Sequence, residues 1–180
     1  MENQDKFSEN DNLEVTYDIK EQKIISLNKF IFLSIISFGM YELWWIYKAW
    51  GFYKQKEKLN ITPAIHTIFS VFFLISLFNK TLKFAKGKGY NNSYSAILLF
   101  VGVFVTNLLA RLPDPYWLIS LLSFVFFIPP FKALNFAKRN SSEFIVTEQT
   151  SYSGRQIVLI VIGVIFWSLV LLGLAVADDY

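Results

Sequence analysis

The sequence predicts an all-α fold, a polytopic membrane helix bundle of about five hydrophobic helices. Hydrophobic residues make up 54% of the 180 residues, and phenylalanine alone occurs 19 times, which exceeds the usual balance of soluble domains. Four long windows contain no Asp, Glu, Lys or Arg: residues 59–79, 89–110, 115–131 and 156–177. A helix on the surface of a soluble protein carries a polar stripe, which these windows almost lack. We therefore expect them to lie in lipid.

The chain divides into an acidic tail, residues 1–23, and a single membrane helix-bundle domain, residues 24–180. The tail has no apolar periodicity, so we expect a disordered cytosolic segment. Up to Glu21 it carries seven acidic residues: Glu2, Asp5, Glu9, Asp11, Glu14, Asp18 and Glu21. The chain has no cysteine, which excludes disulfides, a thiol nucleophile and a thiolate metal site. Nothing in the sequence predicts a cofactor.

The first predicted helix, residues 28–50, is the most unusual stretch. Only twelve charge-free residues, from Phe30 to Tyr41, precede Glu42, whereas a spanning helix needs about 20. We therefore expect this helix to be either short or re-entrant. Its second half is a dense aromatic run, and Trp and Tyr favour the headgroup level of a bilayer. The aromatic run thus predicts an interfacial helix end formed by Tyr41, Trp44, Trp45, Tyr47 and Trp50.

Glu42 is the leading candidate for a functional residue, because a carboxylate inside a membrane is costly and marks a site by default. The alternative is that the stretch around Glu42 is only an aromatic belt at the membrane interface and has no further role. The second predicted helix starts at Thr62 and runs to about Phe78. It contains the only histidine, His66, which has no second ligand at i+3 or i+4. We interpret His66 as structural, with a metal or proton-relay role as the minor alternative, and we predict no metal site.

Lysines follow both of these helices. The first loop carries Lys54, Lys56 and Lys58, and the segment after Phe78 carries Lys80, Lys83, Lys86 and Lys88. Such basic segments favour contact with anionic lipid headgroups. The third predicted helix, residues 94–110, contains Thr106 and Asn107, which can hydrogen-bond across to neighbouring helices.

A hairpin at Arg111 to Pro115 precedes the fourth predicted helix, with Asp114 in an N-cap position. This helix runs from about Tyr116 to Ile128, where Pro129-Pro130 should break it or kink it sharply. Residues 80–86 match residues 132–138 in pattern (K-x-L-x-F-A-K) at an offset of 52. The match has three explanations: chance, an exit of both helices on the same face of the membrane, or an old duplication.

The fifth helix, residues 156–177, contains Gly163 and Gly173, which allow close packing.

The distribution of Lys and Arg predicts the topology through the positive-inside rule. Five spans with a cytoplasmic N-terminus place 4 + 4 + 4 = 12 basic residues inside and 4 + 1 = 5 outside. If the first two helices dip into the membrane without crossing, the count becomes 16 to 1. We prefer five spans because the second helix is so apolar, and the first helix is the doubtful one.

Two stretches resemble one family. Residues 32–50, FLSIISFGMYELWWIYKAW, and residues 112–124, LPDPYWLISLLSF, resemble the signatures of small bacterial multi-pass inner-membrane proteins grouped as a domain of unknown function. The resemblance extends over residues 30–140. It implies a location in the bacterial inner membrane, and it supplies no activity, so no catalytic residue follows from it.

The function predicted from these features is a non-enzymatic scaffold or accessory subunit in the membrane, acting as a homo-oligomer or with a membrane protein partner. No nucleic-acid module is visible. The alternative is a small oligomeric channel or transporter that uses Glu42 with the other polar residues His66, Thr106, Asn107 and Asp114. A lipid-modifying enzyme is the third hypothesis. Such an enzyme needs a cluster of acids, bases or metal ligands, whereas this chain has one histidine, no cysteine and two isolated acids in its membrane region, Glu42 and Asp114.

Overall fold

The computed structural model of this chain describes residues 21–143 and 145–177, which are mostly helical. The expected disorder of the acidic tail concerns residues that, up to position 20, lie outside this described part. The helices in it are α1 (Leu27–Ile36), α2 (Met40–Lys56), α3 (Pro63–Ile68), α4 (Ser70–Gly87), α5 (Ala96–Leu108), α6 (Phe124–Arg139) and α7 (Gly154–Ala177). Two 3-10 stretches, Leu109–Arg111 and Tyr116–Ser123, lie between α5 and α6.

The first predicted helix is a hairpin of two helices, α1 and α2. The chain turns at Phe38 and Gly39, whose φ angles are 53° and 83°. The ring centroids of Phe30 and Trp45 are 6.4 Å apart, whereas fifteen residues of continuous helix would separate them by about 22 Å. The short α1, with ten residues, extends about 15 Å, half of the hydrocarbon thickness of a bilayer.

The second predicted helix is also interrupted. Phe69 has φ −93° and ψ 34°, which separates α3 from α4. The ring of His66 in α3 lies 4.7 Å from that of Trp50 and 4.2 Å from that of Phe73 in α4. The helix then continues to Gly87. The basic segment that we expected to leave as a loop after Phe78 is therefore the last part of α4.

The prediction that Pro129-Pro130 break the fourth helix is wrong, because both prolines lie inside α6. The segment is held by packing with the first hairpin: Phe131 stacks on Phe30 at 4.4 Å, and Phe127 meets Trp45 at 6.0 Å. These tertiary contacts compensate for the donors that the prolines lack. The departure from α-helical geometry lies upstream, in the 3-10 stretch Tyr116–Ser123.

Several helix ends meet at one end of the bundle. The Glu143 carboxylate, just beyond α6, accepts hydrogen bonds from Lys56 Nζ at 2.5 Å and Lys88 Nζ at 3.0 Å. Lys29 at the start of α1 donates to the Gln149 carbonyl at 2.8 Å, just before α7. The segment that contains α3 and α4 therefore begins and ends at the same end of the bundle, near Glu143. We call this region the basic end; it comprises residues 21–29, 54–61, 80–92 and 138–156.

A small parallel sheet joins the first and last parts of the basic end. Strand β1 (Gln22–Ile24) pairs with β2 (Val146–Glu148), with Gln22 opposite Val146 and Ile24 opposite Glu148. The sequence predicted an all-α fold with an acidic tail up to residue 23, so both strands are a correction. The sheet fixes the start of α1 beside the start of α7.

The core lies between the first hairpin, α4 and α6. Tyr53, Phe30, Phe78 and Phe127 are among its fully buried side chains. Phe78 and Phe127 meet at 5.6 Å, and Ala85 packs with Ala133 and Ala137. α4 and α6 therefore run side by side in the same direction. This arrangement places the two matching sequence segments, 80–86 and 132–138, at the same end of the bundle.

Two helical stretches of the described part have the length and apolar composition to cross a membrane: Tyr116–Arg139 and Gly154–Val176. In an apolar window of 18 residues within each stretch, 39% of the first window and 6% of the second are buried. The helical stretches Leu27–Ile36 and Ala96–Arg111 are apolar but shorter. α7 touches the bundle at Gly163, where an added Cβ would lie 2.2 Å from the Ile36 carbonyl oxygen.

Candidate functional site

A cavity of about 1170 Å³ opens at the basic end, between β1, α2, α6 and the start of α7. Three basic side chains from three different helices line it: Lys48, Lys138 and Arg155. Trp44 and Phe52 provide aromatic walls. We call this cavity the basic pocket. Its volume exceeds the upper range of ordinary small-molecule sites, about 1000 Å³.

Each of the three cations lies over an aromatic ring. Lys48 Nζ is 5.4 Å and the Arg155 guanidinium 5.7 Å from the centre of the same Trp44 ring. Lys138 Nζ is 4.4 Å from the ring centre of Phe52. A cation within about 6 Å of a ring face is attracted by the ring quadrupole. The rings of α2 therefore hold the three charged groups near the cavity.

These three cations have no acidic partner among the described residues, which is also true of other basic residues such as Lys23 and Lys54. The ion pairs among the described residues join Lys56 and Lys88 to Glu143, Lys80 to Glu57, and Arg139 to Glu148. None of them includes Lys48, Lys138 or Arg155. Lys138 is only 9% exposed, and a buried charge is costly unless it is paired. The described part of the pocket thus carries an excess of positive charge.

The pocket also contains polar and acidic groups. Glu21 and Lys23 line its rim, and the Glu21 carboxylate accepts a hydrogen bond from Thr147 Oγ1 at 2.7 Å. On the opposite wall, Gln156 Nε2 donates to the Tyr41 hydroxyl at 3.1 Å, and Gln149 Nε2 donates to Gln156 Oε1 at 2.7 Å. These bonds join the start of α7 to α2 and fix the position of Arg155.

Glu42 lies deeper in the bundle, at the turn between α1 and α2. It is 5% exposed, and both of its carboxylate oxygens accept from the Ser123 hydroxyl, at 2.9 and 3.0 Å. Without this hydroxyl donor, a carboxylate buried in this way would carry a large desolvation cost. The sequence did not identify Ser123 as the partner, because it lies 81 positions away.

The other polar candidates do not join Glu42. Thr106 Oγ1 donates to the carbonyls of Gly102 and Val103 at 2.8 and 3.0 Å, and Asn107 Nδ2 donates to Val103 at 2.8 Å. Both side chains thus bond within α5, which corrects the expectation that they bond across helices. Such local bonds compete with longer-range ones for Thr and Asn.

His66 and Asp114 likewise have local partners. His66 Nδ1 lies 3.2 Å from the Thr62 carbonyl oxygen, one turn earlier. The Asp114 carboxylate accepts from the Trp117 indole at 2.7 Å, and Pro115, rather than Asp114, caps the following 3-10 stretch. The five polar candidates therefore do not form one constellation.

The predicted aromatic interface is corrected in part. Tyr41, Trp45 and Trp50 are buried in the core at 6%, 8% and 4% exposure. Trp44 is half-buried and Tyr47 is exposed. The hairpin explains this difference, because it turns the rings of Tyr41, Trp45 and Trp50 toward α1, α4 and α6. An aromatic run cannot distinguish a belt from a core face when the partner helices are unknown.

Three of the seven lysines in the segments predicted to contact anionic lipid are engaged in ion pairs. Lys56 and Lys88 both bond Glu143, and Lys80 pairs with Glu57. The pKa of Glu143 is held below its ordinary value by hydrogen bonds from Lys56 and then Lys88. Exposed pairs of this type contribute little individually. Their effect here is to tie the ends of α2 and α4 to the segment after α6.

No family model matches this chain, and neither curated proteins nor solved structures gave a match. Across residues 21–143 and 145–177, no group of three His, Asp or Glu side chains is placed to hold a metal ion.

Proposed function

We propose that this chain is an integral protein of the bacterial inner membrane that acts, without catalysis, as a scaffold or accessory subunit. The observation that carries the proposal is the surface of α7. Six apolar side chains along it are each more than half exposed: Ile157, Val161, Ile165, Leu169, Leu172 and Val176. At about 25 cal/mol per Å² of apolar surface, exposing such a helix to water is unfavourable, whereas lipid tails solvate it.

The hairpins support the topology with two dipping segments. Residues on both sides of α1–α2, and on both sides of α3–α4, lie at the basic end. If this end faces the cytoplasm, the positive-inside count is 16 to 1 rather than 12 to 5. The membrane is then crossed by α5, by the stretch Tyr116–Arg139 and by α7. In this proposal the topology with two dipping segments takes the place of the five-span version.

Membrane insertion is tested by extraction of native membranes at alkaline pH. We expect the full chain to stay in the membrane pellet and to dissolve only with detergent. A chain that remains folded and dispersed in detergent-free buffer would contradict the proposal.

The topology is tested with single cysteines, because the natural chain has none. Lys54→Cys lies at the basic end, and Arg111→Cys lies in the connection between α5 and α6. We expect an impermeant thiol reagent added outside intact cells to label position 111 and to leave position 54 unlabelled. External labelling at position 54 would restore the five-span topology.

The scaffold role is tested by crosslinking in native membranes. We expect a second copy or a membrane protein partner to be recovered with the chain, because the apolar surface of α7 is available for helix packing. A strict monomer with no partner would contradict this role.

A channel or transporter is the second candidate, because Glu42 is a carboxylate buried in the bundle with a single hydroxyl donor. Under this alternative, Glu42→Gln would change ion flux or growth under ionic stress. A lipid-modifying enzyme stays the third hypothesis.

A further inference from the structure

We propose that the basic pocket is a binding site for a phosphate group, presented by an anionic phospholipid headgroup or by a soluble phosphate ester. Three cations from α2, α6 and α7 converge on this cavity of about 1170 Å³. No carboxylate of the described residues neutralises Lys48, Lys138 or Arg155. The site is thus built for an anion, and it lies outside the lysine-rich segments expected to contact lipid.

The donors match a phosphate in their chemistry. A guanidinium presents a planar fork of N–H groups that binds two phosphate oxygens at once, and lysines add point charges. Arg155 and Lys48 share the Trp44 ring, at 5.7 and 5.4 Å. Like charges gathered around one cavity repel each other, and a bound anion would relieve this repulsion.

Lys138 is the second, independent observation. Its side chain is nine-tenths buried, lines the pocket and contacts the Phe52 ring. A lysine on a solvated face would extend its ammonium group into water. Here the ammonium group lies over the Phe52 ring at the wall of the cavity, where an incoming phosphate oxygen would supply a charge partner.

The lining favours an amphipathic ligand. Ile25, Phe131, Leu134 and Leu159 provide apolar walls beside the cations. The pocket opens at the basic end, where α6 ends and α7 begins. If these helices cross the membrane, this is the level of the headgroups, and an acyl chain can lie along the apolar walls. This lipid form of the proposal rests on the proposed membrane insertion, whereas phosphate binding does not.

The test compares two triple variants of the full chain in detergent micelles. The pocket variant carries Lys48→Gln, Lys138→Met and Arg155→Gln. The control variant loses the same charge outside the pocket, through Lys54→Gln, Lys58→Gln and Lys132→Gln. Native mass spectrometry measures retained lipid after incubation with equal parts of phosphatidylglycerol and phosphatidylcholine. The single change Arg155→Lys provides a milder variant should the pocket triple fail to fold.

We expect the natural chain and the control variant to retain phosphatidylglycerol in preference, and the pocket variant to lose this preference by roughly tenfold. Arg155→Lys should weaken it in part, since the planar fork is lost while the charge remains. Competition by glycerol 3-phosphate assigns the site to a soluble ester, and resistance to it assigns the site to the lipid headgroup.

Three outcomes overturn the proposal. Equal loss in both triple variants means a diffuse charge effect, and absence of any preference in the natural chain means that the pocket does not select an anionic phosphate headgroup. The third is preference that appears only after the six acidic residues before Glu21 are changed to amides, because the acidic segment is then the native occupant. Alkaline extraction of the same variants measures membrane insertion separately. A failure of phosphate binding can therefore be distinguished from a failure of the proposed function.

Discussion

At the scale of single residues, the bond between Glu42 and Ser123 carries the most information. It joins the turn of the first hairpin to the start of α6, and both oxygens of a buried carboxylate depend on one hydroxyl. The sequence identified Glu42 as unusual, because a carboxylate in an apolar stretch is costly. It could not identify Ser123, since one serine among many becomes a partner only through the fold.

Ser123→Ala should destabilise the protein by about 1–3 kcal/mol, because it leaves a buried carboxylate without a donor. The free energy of unfolding in detergent, from denaturant titration, measures this effect. In a Glu42→Ala background the same change should cost less than about 0.5 kcal/mol.

Ser168→Ala is the matched control, because Ser168 bonds only the Val164 carbonyl in its own helix and is exposed. Its effect should stay within about 0.5 kcal/mol. Equal costs for Ser123→Ala with and without Glu42 would show that the two side chains are not coupled.

At the scale of elements, α1 and α7 make a close backbone contact at Gly163. The sequence predicted that both Gly163 and Gly173 allow close packing. The structure distinguishes them: a Cβ at Gly163 would meet the Ile36 carbonyl oxygen at 2.2 Å, whereas a Cβ at Gly173 meets nothing within 4 Å. The distinction depends on the position of the end of α1 relative to α7, and the sequence of α7 carries no information about that position.

Gly163→Ala should therefore push α1 and α7 apart and cost about 1–3 kcal/mol, since backbone atoms cannot move aside as a side chain does. Gly173→Ala is the control and should be neutral or stabilising by up to about 1 kcal/mol, because alanine favours helix. Thermal unfolding in detergent measures both. Indistinguishable midpoints for the two variants would refute the close contact.

Glu143 predicts a pH dependence at the same scale. Its pKa is lowered in the folded state by hydrogen bonds from Lys56 and Lys88, from an ordinary value of 4.5. A lowered pKa means that the stabilisation is present above the ordinary value and is lost as the pH falls through the folded-state pKa. Acid should therefore loosen the link between the ends of α2 and α4.

The distance between spin labels at positions 54 and 83, beside this link, measures the loosening. We expect the distance distribution of the natural chain to become longer and broader as the pH falls below the ordinary pKa of 4.5, and the same distribution at neutral pH in Glu143→Gln. A Glu143→Gln chain that keeps the natural distance at neutral pH would show that the charge pairs do not hold these ends together.

At the scale of the whole molecule, the charges and the apolar surface are segregated. Helix ends rich in lysine gather at the basic end, and α7 exposes apolar side chains along its length. The two re-entrant segments and the crossing helices of the proposed topology account for both features, because Arg111 is then the only external basic residue of the positive-inside count.

Ile165→Arg tests the surface of α7, where Ile165 is 57% exposed. An arginine at the centre of a membrane helix costs about 2.5–3.5 kcal/mol on insertion scales, so we expect a lower fraction of chain resistant to alkaline extraction. Ser142→Arg adds the same charge at the exposed basic end and should extract like the natural chain. Identical extraction of both variants would argue against lipid contact at position 165.

The helical class, the approximate positions of the apolar segments and the unusual status of Glu42 could all be predicted from the sequence. These features depend on composition and local hydrophobicity, which a chain carries in any environment. Three other features became visible only in the fold: the aromatic run folds into a hairpin, Pro129-Pro130 stay within α6, and Lys48, Lys138 and Arg155 meet in one pocket. Each of these depends on residues brought together from distant positions, and the free energy that decides them comes from packing between helices, which no single segment specifies.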